Sequence, residues 1–180
     1  MAMPAAWAPR WPRPQRRELV HAVRTAAAAV VSLLIARLCR LPESYWAAIT
    51  TIIVLQSTLG AALTISRHRL AGTALGATIG ALLATYAGRN VAVYGVGVLI
   101  CGVICAWLHV ERSAFRYAGI TLTIVLHIAQ NHSAWIVALH RFIEISLGIV
   151  VGLAITAAWP EAPDLSQIKQ ANSRLARRAR

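Results

Sequence analysis

Residues 45–84 form forty positions that carry charge at one point only, the basic run Arg67-His68-Arg69. A water-soluble domain has no use for so long an apolar stretch. Two helices of about 20 residues each, the length that crosses a bilayer, account for it if the basic run is their turn. Gly72, Gly76 and Gly80 recur once per turn on one face, the small-residue spacing by which helices approach closely in lipid. The expectation is an all-α, polytopic membrane protein with these two helices as its packing centre.

The rest of the chain fits that class. Six apolar segments are predicted, at 21–38, 45–65, 70–87, 91–108, 114–130 and 135–159. Charged residues make up 13% of the chain, against roughly a quarter in globular proteins, so they cannot cover a water-facing surface. Of the Lys and Arg residues, thirteen fall on the side of the two termini and four on the other, with Arg24 inside the membrane. This bias puts both termini in the cytoplasm and agrees with an even number of helices. The expected layout is a basic cytoplasmic lead-in at 1–18, a six-helix membrane domain at 19–159, and a basic tail at 160–180. That tail either frays or forms a short amphipathic helix on anionic headgroups. The lead-in is not a signal peptide, because prolines and Trp interrupt it before any apolar core.

A net charge of +12 raises nucleic acid as a partner. The charge sits at the ends and in turns, not along a folded basic face, so no nucleic acid is expected. Cys39, Cys101 and Cys105 make no disulfide framework, and Cys101 and Cys105 read as small packing residues. No metal or cofactor is expected. There is no HExxH, no nucleophile elbow and no phosphate-cradling glycine loop, so the chain is not read as an enzyme.

Ionisable groups at membrane depth cost roughly 2.5–3.5 kcal/mol each on insertion scales and mark candidate sites. Arg116, Thr123, His127 and Gln130 fall along one line of the fifth helix at 100° per residue. Such a stripe lines a water path or hydrogen-bonds neighbouring helices. The sixth helix carries His140, and Arg141 and Glu144 at i, i+3, where they can pair, followed by Gly148 and Gly152 for packing. A cationic pocket of this kind could hold a carboxylate, with Glu144 or a histidine carrying a proton. In the second helix, Gln56-Ser57-Thr58 followed by Gly60 marks either a broken helix or hydroxyls bonded back to the preceding turn.

Trp46-Ala47, Thr50, Val54, Gly60-Ala61, and Arg69 with Gly72-Thr73 and Gly76 stand in a recognisable order. With Arg24-Thr25, and Arg141, Glu144 and Gly148 in the last helix, they make residues 18–160 resemble the fusaric acid resistance / aromatic acid exporter superfamily. The plant aluminium-activated malate channels are similar too. Where that pattern has Pro and Thr at the helix break, this chain has Ser57 and Ala62. The resemblance implies an exporter of organic anions, often aromatic carboxylates, with two six-helix units combined as a homodimer. A passive anion channel and a non-transporting membrane scaffold are the alternative readings.

Overall fold

The computed structural model describes residues 16–56, 58–128 and 133–159. Ser57, Gln130, His132, most of the basic lead-in and the whole tail lie outside them. The described residues form six helices: α1 (Arg16–Leu38), α2 (Tyr45–Val54), α3 (Leu59–Tyr86), α4 (Val91–Trp107), α5 (Arg112–Ile128) and α6 (Ala134–Ala158). Among the described residues there is no strand. Two stretches, Glu18–Leu38 and Ala134–Ala158, are long and apolar enough to cross a membrane, and α2 and α4 are shorter apolar helices.

The turn expected at Arg67–Arg69 lies elsewhere. α2 has only 10 residues, about 15 Å of helix, and stops at Val54. α3 has 28, about 42 Å, and runs unbroken through the basic run. The break falls between Val54 and Leu59, where Thr58 turns extended and its side chain accepts the Ala61 N–H as an N-cap. The C-terminal end of α2 receives the Arg24 guanidinium, whose Nη2 donates to the Gln56 carbonyl at 3.3 Å. A cation at a helix C-terminus offsets the carbonyls left unpaired there. Nor do α2 and α3 form a packing centre with each other. α2 packs mainly on α6 and α1, and α3 on α5 and α6.

Glycines set those pairings. A Cβ on Gly72 or Gly76 would stand well under 3.0 Å from the Ala114 or Ala118 carbonyl of α5, and one on Gly80 would crowd Val125. These contacts advance together along both chains, so α3 and α5 run parallel. Gly148 meets the Ala47 carbonyl and Gly152 meets Val54, so α6 and α2 run parallel too. Buried clusters place Ala62 with Ile145 and Ile149, and Ala77–Ala84 with Ala134–Ala138, which makes α3 and α6 an antiparallel spine.

The two halves of the chain repeat one another. α1–α3 and α4–α6 make the same set of contacts with exchanged roles: α2 on α6 as α5 on α3, α1 on α2 and α6 as α4 on α5 and α3. The sequence repeats in step. His68-Arg69, Leu75-Gly76 and Gly80 return seventy-two residues on as His140-Arg141, Leu147-Gly148 and Gly152. Ala47, Ile49, Thr50 and Ile53-Val54-Leu55 return seventy-one on as Ala118, Ile120, Thr121 and Ile124-Val125-Leu126. The first helix of each half points opposite to its counterpart, so the repeat is inverted. Each half contributes a hairpin, α1–α2 or α4–α5, whose tip reaches the spine near its middle. Glu43 lies at one tip, against Glu144, and Glu111 at the other, against His68.

Candidate functional site

Where the hairpin tips converge, the spine carries one buried arginine from each half. Arg141 is 2% exposed and Glu144 is fully buried, and they pair at 3.1 Å across one helical turn. The Glu43 carboxylate closes on the Arg141 Nη2 from the α1–α2 tip. The same carboxylate accepts from the Tyr45 hydroxyl and, at 3.1 Å, from the Trp46 indole N–H. The Glu43 backbone N–H donates to Glu144 at 2.9 Å. Trp46 also roofs the guanidinium, with 5.1 Å from Cζ to the ring centroid, a cation–π distance. One cation and two carboxylates are thus held together by α2, α6 and the tip between α1 and α2.

Arg69 is the counterpart. It is 4% exposed, and Tyr117, which stands in the repeat where Trp46 does, lies 4.9 Å from its Cζ. Its Nε and Nη2 donate to the Thr50 hydroxyl at 3.3 and 3.0 Å. Among the described residues no carboxylate faces it, because the position equivalent to Glu144 is Gly72. The tip acid Glu111 rests instead on His68 at 3.4 Å and is 68% exposed, while Ser113 Oγ lies 3.2 Å from the same imidazole.

The sequence-predicted site residues separate into groups. Arg141 and Glu144 line a cavity of about 280 Å³ with Pro42, Glu43, Ile128, Ile136, Val137 and His140. Thr123 and His127 line another, of about 340 Å³, with Arg89, Asn90 and Tyr94, and Thr123 donates to the Tyr94 hydroxyl at 3.3 Å. Arg116 is exposed at the start of α5 and borders neither cavity, and Gln130 lies outside the described residues. The packing glycines Gly72, Gly76, Gly80, Gly148 and Gly152 sit on the helix contacts given above. Sequence reasoning missed Glu43 as a site residue, and it missed Arg69 by reading it as a turn cation. The repeated His-Arg dipeptide with its Leu-Gly sequel was the signal that could have found Arg69.

Glu43, in the α1–α2 connector, titrates below the ordinary carboxylate value of 4.5. Burial pushes its carboxyl up, but hydrogen bonds from Tyr45 and Arg141, the Arg141 charge and the Trp46 indole together outweigh that. A group whose folded pKa is depressed stabilises the fold above its unfolded value and loses that contribution as pH falls through the folded one. Thermal stability in detergent is therefore expected to drop on acidification below about 4.5. Glu43→Gln should flatten that acid limb and lower the plateau above it.

A fold of six helices in two inverted halves, with buried charge where the hairpins meet the spine, defines a membrane protein of the inverted-repeat class. Residues 28–155 match the model of the fusaric acid resistance protein-like family, and the chain belongs to that family. It is similar to the inner membrane protein YeeA of Escherichia coli K12, with 25% identity over 79% of this chain and 41% of YeeA. It is also similar to the uncharacterized transporter YdhK of Escherichia coli K12, with 27% identity over 92% of this chain and 27% of YdhK. YdhK of Salmonella typhimurium is 25% identical over 97% of this chain and 28% of its own length. The chain thus spans about two fifths of YeeA and little more than a quarter of either YdhK. No solved structure matches it. The chain is a multi-pass protein of the bacterial inner membrane.

Proposed function

We propose that the chain is the membrane unit of an exporter of organic anions, with aromatic carboxylates as the favoured cargo. The observation that carries this reading is the buried Arg141 beside the cavity of about 280 Å³. Its Nε is buried without a hydrogen-bond partner among the described residues, and Ile128, Ile136 and Val137 form the cavity's apolar walls. A guanidinium at the end of an apolar slot suits a planar acid, with the carboxylate on the cation and the ring on the aliphatic side chains. Glu43 and Glu144 already hold Nη2 and Nη1, so a carboxylate that takes the guanidinium fork displaces one of them. Proton uptake on the displaced acid would couple transport to a pH gradient. Membership of a family with members named as transporters supports the reading. A homodimer is part of the proposal. α1 and α4, equivalent in the two halves, expose Val23, Val30 and Leu34, and Val96, Leu99 and Val103, to be covered by lipid or by a second copy.

The test is uptake of labelled aromatic and aliphatic carboxylates into proteoliposomes, with and without a pH gradient. Uphill, gradient-driven flux is expected, and the charge-neutral double variant Arg141→Met/Glu144→Gln should lose it by about 10- to 100-fold, the worth of a charged hydrogen bond. Flux only down its own gradient would make the protein a channel. Flux unchanged in the double variant would remove Arg141 from the pathway.

A further inference from the structure

The repeat gives each half one buried arginine but supplies a counter-charge to only one of them. In register, Glu43 stands where the second half has Ala114, and Glu144 stands where the first half has Gly72. Arg141 therefore comes with two carboxylates, and Arg69 with none. No described residue makes up the shortfall. Of the six acids in the chain, Glu43 and Glu144 hold Arg141, Glu111 rests on His68, and Glu18 lies in the first turn of α1. Glu161 and Asp164 lie outside the described residues. The neighbours of Arg69 add positive charge instead. Arg67 is exposed beside it in the chain. Exposed Arg112 and Arg116 come close on α5, since Ser113 lies against His68 and Tyr117 against Arg69.

A guanidinium taken out of water is costly unless an opposite charge meets it. Thr50 and the Tyr117 ring give Arg69 hydrogen-bond and cation–π partners, but neither is an anion. A second observation lies one turn on, about 40° round the same helix. Thr73 is 1% exposed, and its hydroxyl has no partner among the described residues. The other threonines of α3, Thr64, Thr78 and Thr85, each donate to the carbonyl four residues back. Thr73 does not, which leaves a buried hydroxyl able to donate on the face of α3 that carries the lone cation. We propose that Arg69 and the Thr73 hydroxyl bind a small inorganic anion, a halide such as chloride, as the counter-ion of the first half. Arg69 lines neither cavity described above, and α3 and α5 are in close contact at Gly72. The space therefore suits an ion of one atom and not a ring-bearing acid. The inference stands apart from the transport reading, because a halide held here neutralises the core whether or not a carboxylate crosses.

The test is the melting temperature of the purified full chain in mild detergent, with sodium chloride titrated against sodium gluconate at constant ionic strength. Chloride, or bromide in its place, should raise the melting temperature in a saturating way, as a ligand of the folded state does. Arg69→Gln should abolish the dependence. Should that variant fail to fold, Thr73→Val decides, since it exchanges a hydroxyl for a methyl group of similar shape. In gluconate it should melt no lower than the unaltered chain, because an unpartnered hydroxyl has gone. It should need about 10-fold more chloride for half the effect, the loss of one hydrogen bond to a charged group. Equal melting of the unaltered chain in the two salts would overturn the proposal. So would a chloride dependence that survives Arg69→Gln or that Thr73→Val leaves unchanged, which would place the ion elsewhere. Stabilisation by benzoate but not by chloride would overturn it too and give Arg69 to the cargo. A chain that transports no carboxylate yet keeps the chloride dependence would support the halide and not the transport reading.

Discussion

Gly76→Ala and Gly148→Ala are each expected to lower the stability of the folded protein sharply, although each adds a single methyl group. In both cases the new carbon would press on a backbone carbonyl, Ala118 in α5 or Ala47 in α2, and a backbone atom inside a helix cannot turn aside as a side chain can. The parallel helices would have to separate, losing contacts along their whole length. Overpacking alone costs about 1–3 kcal/mol, a large share of the margin by which proteins stay folded. Gly95 and Gly119 provide the comparison, since a Cβ there meets nothing within 4 Å. Changing either to Ala in its helix should be neutral or stabilise by up to about 1 kcal/mol. Monodisperse yield on size-exclusion chromatography and thermal stability in mild detergent would separate the two pairs. A well-folded Gly76→Ala protein would show that the α3–α5 spacing can relax.

The second large effect concerns the buried charges. Arg141→Met leaves Glu144 fully buried beside Glu43 with the shared cation gone, and removing one partner of a buried pair costs about 3–5 kcal/mol. Much of that cost is the stranded carboxylate, not the lost attraction. Arg141→Met/Glu144→Gln should therefore recover a substantial part of it. The measurement is a double-mutant cycle in thermal stability. If the double variant is no more stable than Arg141→Met, the cation holds the fold through its stacking on Trp46 and not through its charge. Glu144→Gln alone should be milder, because Glu43 still neutralises Arg141.

Helix number was legible because six apolar runs separated by polar turns leave few alternatives. The second boundary was misread for a physical reason. A charge in an apolar run looks like a turn at the membrane surface, but Arg69 is accommodated inside the protein by Thr50 and Tyr117. The true break had a weaker mark, Thr58 as an N-cap after residues 55–57. Arg141 and Glu144 stood out because both partners lie on one helix. Glu43 did not, because its backbone contact to Glu144 is 101 residues away in the chain, and no local pattern reports a partner at that distance. The line of residues predicted on α5 meets different surroundings along its length, because a helical projection orders residues around an axis without saying which neighbours each turn meets. Arg116 is exposed, and Thr123 and His127 open into a cavity with Arg89.

The matching of His68-Arg69 with His140-Arg141 also bears on ancestry. Two oppositely directed copies joined in one chain imply a precursor of three helices that inserted in either orientation and paired head to tail with its own kind. Such a precursor had to do without a strong excess of arginine at either end, since that excess fixes direction. The halves differ at the point of the repeat where one copy carries Glu144 and the other Gly72 with its close contact with α5.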